Sequence, residues 1–184
     1  YPILTSLLFE CLDAVMPVST NMVNTSLTTG IDPSIYKTAI VKPLLKKPTL
    51  DLNELKNYRP VSNLAFMSKV LEKVVHAKVF SHLNSHNLIS EFQSAYRPGH
   101  STETALLKVT NDLLTAMDTG KVSVLTLLDL SAAFDTVDHD ILLHRYEHTF
   151  GFQGTALAWV RSYLSGRTQT ISIDGRLSSP TVIH

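Results

Sequence analysis

The strongest strand signal in the chain is residues 122–130, Val-Ser-Val-Leu-Thr-Leu-Leu-Asp-Leu, where Ser123 and Thr126 alone interrupt a β-branched and aliphatic run ahead of Asp129. Such a run predicts a buried strand, closed by a turn at Ser131-Ala132. With a period of two, Leu125, Leu127 and Asp129 share one face, and Val124, Thr126, Leu128 and Leu130 the other. Elsewhere the apolar period is mostly helical. Leu4, Leu7, Leu8, Cys11, Leu12 and Val15 predict a first helix, which Pro17 interrupts, and Met22, Val23 and Leu27 a second that ends at Gly30.

Residues 36–45 read as a strand, Lys46-Lys47-Pro48 as a turn, and the polar stretch 49–57 as a loop that returns to an extended Tyr58-Arg59-Pro60-Val61-Ser62. These two segments predict a hairpin with a basic tip. Pro60 biases Arg59 toward extended backbone and so projects its guanidinium. Ser68 is the expected N-cap of a helix whose apolar stripe is Val70, Leu71, Val74, Val75, Val79 and Leu83, with Lys69, Lys73 and Lys78 on the other side. Pro98-Gly99 marks a turn, and Ser101 caps a helix carrying Ala105, Leu106, Val109, Leu113 and Met117 inward as far as Gly120. An amphipathic helix over 141–150 ends at Gly151. A shorter one over 155–164, with Trp159 packed, ends at Gly166. Residues 169–173 and 177–183 then form a hairpin through Asp174-Gly175.

At 184 residues and 44% hydrophobic, the chain can bury one substantial core. Its single Cys, Cys11, rules out an internal disulfide and suits a reducing compartment. The apolar opening is broken by Glu10, Asp13 and Pro17 before the roughly 20 residues that cross a bilayer, so no membrane association is expected. The sequence starts at Tyr1 without a Met and stops after an apolar run, and reads as a fragment. Net charge is zero, but residues 36–100 hold ten Lys and Arg against four acids, whereas 1–35 and 101–184 each carry a net charge of minus three. A basic section next to acidic ones suits a polyanionic partner.

Asp129 needs a reason for its place. An unpaired charge at the end of a core strand costs several kcal/mol, and a cation, hydrogen bonds or a bound metal would neutralise it. Ala132 and Ala133 leave room for a ligand near the backbone, Phe134 sets a flat ring nearby, and Asp135 and Asp138 are placed to cap the next helix.

Leu128-Asp-Leu-Ser-Ala-Ala-Phe-Asp135 resembles the first aspartate motif of reverse transcriptases, in particular those of LINE-type, non-LTR retrotransposons. The resemblance implies an α+β fold: part of a right-hand polymerase with fingers and an incomplete palm, its helices packed on short antiparallel strands. It divides the chain into a helical flanking segment over 1–35, a fingers-like region over 36–121 and a partial palm over 122–184. It makes Asp129 a catalytic metal ligand for two Mg²⁺ or Mn²⁺ ions, gives Leu130 a metal-binding backbone carbonyl, and sets Phe134 against the sugar of the incoming nucleotide. Lys47 and Arg59 become triphosphate contacts, with Lys46 equally placed in sequence. Gln93, Arg97, Gly99 and Ser101 follow the family's Gln-aromatic-Arg-Gly-Ser pattern, which supports the template, and the start of the following helix is suited to a phosphate.

By the same resemblance the partners are an RNA template, a DNA primer, deoxynucleoside triphosphates and the missing palm and thumb segments, in the cytoplasm and nucleus. The family's second carboxylate source, an aromatic-Ala-Asp-Asp hairpin, occurs nowhere in the 184 residues. Polymerisation by this chain alone is therefore not expected, and a non-catalytic RNA-binding remnant is the alternative reading. A protein-interaction module is a third, marked by salt-insensitive association with a protein and no RNA affinity. His144-Arg-Tyr-Glu-His148 also fits the H-x-x-E-H pattern of inverzincin proteases, which needs a third zinc ligand from elsewhere.

Overall fold

The structure is a computed structural model that describes residues 10–130, 133, 134 and 136–183, in two units: Tyr1–Val79 with Asp138–His184, and Phe80–Val137. The described helices are α1 (Leu12–Thr29), α2 (Phe66–Ser85), α3 (Thr102–Asp118), α4 (His139–His148) and α5 (Gly154–Leu164). The strands are β1 (Thr38–Leu45), β2 (Tyr58–Asn63), β3 (Thr168–Ile173), β4 (Arg176–Leu177) and β5 (Thr181–Val182).

The core of the first unit is helical: Val23 of α1, Leu71 of α2, Leu143 of α4, and Trp159 and Val160 of α5. Leu71, at 1% exposure, is its most enclosed side chain, and Val70, Val74 and Val75 pack around it as the stripe predicted. Two small residues let α1 meet α5. Gly30, the left-handed C-cap of α1 at φ 68°, lies so close to α5 that a Cβ there would meet Thr155 O at 2.9 Å. The buried Ser26 accepts the Trp159 indole N–H at 2.8 Å and donates to Ile31 O at 2.6 Å, so one hydroxyl satisfies both the core indole and the chain leaving α1.

A polar network continues from this corner. Lys37 Nζ donates to Ser162 O at 2.6 Å and Ser165 O at 3.1 Å, supplying donors to carbonyls at the end of α5, while Asp32 N–H donates to Ser162 Oγ at 3.0 Å. Tyr163 OH donates to Glu72 Oε1 at 3.0 Å, and Arg167 lies over the Tyr163 ring at 4.6 Å. Burial, helped by Glu72, pushes the Tyr163 phenol up to about 12, so it stays a donor. Burial also raises the Asp32 carboxyl, against the opposing pull of Lys37 and Arg167.

The sheet runs β2-β1-β3-β4, with β5 also paired to β3. β1 and β2 form the antiparallel hairpin predicted, with Leu44 opposite Arg59 and Pro43 opposite Pro60. Lys46 N–H donates to Asn57 O at 2.8 Å. Counting back in alternate pairs from that bond, Pro43 and Pro60 fall where an N–H would point away from the partner strand, so neither costs a ladder bond. Asp174 and Gly175, at φ 48° and 79°, make the predicted two-residue turn after β3.

Several expectations are corrected. The strands are not all antiparallel: β1 and β3 pair in parallel from Thr38↔Thr168 to Val41↔Ile171, and the long helical connection between them is what a parallel pair requires. The buried cluster of the core, moreover, lies between helices, while Ala39 and Val41 of β1 are buried outside it. The return strand breaks into β4 and β5 because the register slips by one residue, from Ser172↔Leu177 to Gln169↔Thr181, around Pro180. Pro17 lies inside α1, where it removes only the bond to the carbonyl of Asp13 near the helix start. Ser68 sits within the first turn of α2, buried and bonded to Glu72 at 3.4 Å, not at its cap. α3 spans its predicted length but buries no side chain among the described residues.

The largest correction concerns 122–130. Residues 121–130 form no strand and all are exposed, Leu127 at 84% and Leu128 at 87%. A strand holds only where neighbours take up its backbone groups, and none of the five described strands pairs with this run. Leu4, Leu7, Leu8 and the Ser131-Ala132 turn lie outside the described residues.

Leu71→Ala should cost about 2–5 kcal/mol in urea unfolding, whereas Leu55→Ala, at 88% exposure, should stay within about 0.5 kcal/mol. For Asp32 the native state holds the proton more tightly than the unfolded chain, so its contribution is full below pH 3.8 and is lost as pH rises through the raised native value. Asp32→Asn should accordingly flatten the stability profile above pH 3.8, measured as unfolding midpoint against pH.

Candidate functional site

Asp129 and Leu130 end the exposed run, and Phe134 stands 78% exposed in the turn that follows, where Thr136 Oγ1 donates to Ala133 O at 3.2 Å. Asp135 lies outside the described residues. Asp138 serves the next helix, its Oδ1 accepting from Asp140 N and Ile141 N, each at 2.9 Å, as the predicted N-cap of α4. Among the described residues no three His, Cys, Asp or Glu side chains group as a metal site. Asp129 with the Leu130 carbonyl thus falls short of the donor set that a two-ion centre requires.

The β1–β2 hairpin carries the phosphate candidates on a braced loop. Asp51 Oδ1 accepts from Asn53 N at 2.9 Å, Asn57 Nδ2 donates to Asp51 O at 2.9 Å, and Tyr58 OH donates to Leu52 O at 3.0 Å. Lys46 Nζ donates to Lys56 O at 2.7 Å, which commits it to closing the loop. Lys47 is exposed, with no such bond among the described residues, and this separates two lysines that the sequence left equivalent. Arg59 is exposed opposite Leu44, on the face that also holds Lys42. Lys42 was missed from the sequence, although its alternation along β1 with buried Ala39 and Val41 was the available signal.

In the Phe80–Val137 unit, Gln93, Arg97, Gly99 and Ser101 lie on one loop. Gln93 Nε2 donates to Ala95 O at 3.2 Å and Arg97 Nη1 to Ser90 O at 3.3 Å, so both side chains shape the loop itself. Tyr96 and Gly99 take left-handed φ of 57° and 74°. Ser101 caps α3 in a reciprocal box: its Oγ accepts from Thr104 N at 3.3 Å and its N–H donates to Thr104 Oγ1 at 2.8 Å. Glu103, hydrogen-bonded to the Ser101 side chain and to its own backbone, is held below the usual carboxylate range, so a carboxylate already occupies the start of this helix.

The zinc-protease pattern finds no third ligand among the described residues: the His144 and His148 rings stack on α4 at 4.1 Å. No described helix is long and apolar enough to cross a membrane.

Residues 45–182 match the model of the family described as reverse transcriptase (RNA-dependent DNA polymerase). The chain is 31% identical over 156 residues to the RNA-directed DNA polymerase from mobile element jockey of Drosophila melanogaster, covering 85% of this chain and 17% of that protein. It is 30% identical over 147 residues to the probable RNA-directed DNA polymerase from transposon X-element of the same fly, covering 80% and 16%. It is also 30% identical over 163 residues to the jockey polymerase of Drosophila funebris, covering 88% and 17%. The chain therefore spans about a sixth of the length of these relatives.

Ser101→Ala should remove the α3 cap at a cost of about 1 kcal/mol, seen as faster amide exchange at Thr104, whereas Ser101→Asp should retain protection there.

Proposed function

The chain belongs to the reverse transcriptase (RNA-dependent DNA polymerase) family, and from that premise we propose that it supplies the fingers and the first part of the palm of a LINE-type retrotransposon polymerase. The reaction of the whole enzyme is nucleotidyl transfer: a primer 3′-hydroxyl attacks the α-phosphorus of a deoxynucleoside triphosphate, a phosphodiester bond forms, and pyrophosphate leaves. RNA template and nucleotide are the substrates that family membership implies, and divalent ions are its general cofactors.

The observation that carries this reading is Asp129 within Leu128-Asp-Leu-Ser-Ala-Ala-Phe-Asp135, inside the matched span. Its carboxylate and the Leu130 carbonyl are proposed ligands for Mg²⁺ or Mn²⁺. The described residues do not complete a two-ion centre, so no step is routed through the ions. Phe134 is proposed to pack against the sugar of the nucleotide. Lys47 and Arg59, joined by Lys42, offer cations to phosphates from a hairpin that is already ordered. Gln93, Arg97, Gly99 and Ser101 shape a loop proposed to lie along the template. The exposed 122–130 run is proposed to gain its neighbours from further palm segments, the protein acting in the cytoplasm and nucleus.

The basic hairpin also stands without the second carboxylate motif, which favours the RNA-binding remnant as second reading. Primer extension on an RNA template with Mg²⁺ or Mn²⁺ separates the two, using this chain, a version extended downstream, and that version with Asp129→Asn. We expect activity only in the extended protein, lowered at least about a thousandfold by the substitution, about 4 kcal/mol of transition-state stabilisation. Activity in neither would favour the remnant, and full activity of the variant would remove Asp129 from the site.

A further inference from the structure

His144-Arg-Tyr-Glu-His148 plays no part in the polymerase reading. We propose that His144 and His148 form a two-imidazole site for a borderline transition-metal dication of the Zn²⁺ class, on the exposed face of α4. The inference is independent of the polymerase assignment, because it rests on the helix alone.

The scaffold is rigid where it needs to be. α4 is capped by Asp138 at its start, anchored in the core through Leu143, and held at its half-buried Tyr146 against Phe152 at 5.0 Å, edge to face. The two histidines stand on the exposed side, four residues apart, where helix geometry brings side chains one above the other. Their rings are 4.1 Å apart and within 13° of parallel, so both imidazoles already occupy one patch.

The protonation pattern also suits a ligand. His148 Nδ1 lies 3.0 Å from the His144 carbonyl oxygen, which can only accept, so Nδ1 carries the proton. In the neutral ring Nε2 is then the basic nitrogen, and a backbone carbonyl behind the far nitrogen is the usual support of a metal-bound imidazole. An ion held by both imidazoles would lie at bond lengths of about 2.0–2.1 Å from each. Imidazole selects Zn²⁺, Ni²⁺ and Cu²⁺ over the oxygen-seeking Mg²⁺.

The same geometry excludes a protease centre. Glu147 Oε2 approaches His148 at Nδ1, at 4.0 Å, on the nitrogen turned away from the proposed ion. With two protein ligands the remaining positions go to water. Binding would clamp the last turns of α4, since the helical form alone holds both rings together, and so would stabilise the folded chain.

The test is calorimetric titration of the chain with Zn²⁺ in a Cys11→Ser, His86→Ala background, which removes the exposed thiol and the similar His82–His86 pair of α2, whose rings lie 4.5 Å apart, with Mg²⁺ in excess throughout. His144→Ala, His148→Ala and, as a control, His100→Ala are compared, with far-UV circular dichroism to verify the fold of each. We expect saturable one-to-one binding with an upward shift in melting midpoint, weakened about tenfold or more by either α4 substitution as the advantage of a second tethered ligand is lost, and unchanged by His100→Ala. Binding equally strong in His144→Ala or His148→Ala, or no saturable binding in the parent, would overturn the proposal.

Discussion

A β-strand cannot stabilise itself, because every N–H and C=O along it needs a partner in a neighbouring strand or in water. In this chain the segment bearing Asp129 pairs with none of the five described strands. Residues 121–130 are exposed along their whole length although their side chains are among the most apolar in the sequence, and both faces of the run are apolar. That pattern belongs to a strand covered on two sides. Asp129 can be held no more firmly than the backbone that carries it, and the metal ligation proposed for it depends on that firmness.

The first unit shows what the chain can hold with its own residues. Trp159 reaches Ser26 across 133 positions of sequence, Lys37 reaches Ser162 across 125, and Gly30 lets α1 and α5 touch. These contacts close a helical core and fix β1 beside β3, so the hairpin bearing Lys47 and Arg59 has a braced base. Cationic contacts to phosphate tolerate some freedom, whereas metal ligation by carboxylates does not. The division matches the proposed roles: the hairpin proposed to meet phosphates is ordered, and the segment proposed to hold metal ions forms no strand.

Local signals were legible in the sequence and long-range ones were not. Gly30, the Asp174-Gly175 turn, the Ser101 cap and the Asp138 cap are each set by a few adjacent residues, and each lies where the sequence places it. The parallel pairing of Thr38 with Thr168, the Glu72–Tyr163 bond and the burial of Asp32 join residues far apart, and no periodicity reports them. The run 122–130 misled for a related reason: strand propensity measures fit to a covered, pleated surface and says nothing of whether the cover is present. Lys47 and Lys46 are adjacent and chemically identical, and only the carbonyl of Lys56 tells them apart.

The most direct measurement is amide hydrogen exchange across 122–130, in this chain and in a version extended downstream. We expect these amides to exchange at unprotected rates in the chain alone and about a hundredfold or more slowly in the extended protein, as a strand gains its neighbours. Strong protection in the chain alone, or none in an extended protein that is folded and extends a primer, would contradict the claim that Asp129 rides on a strand completed by further sequence.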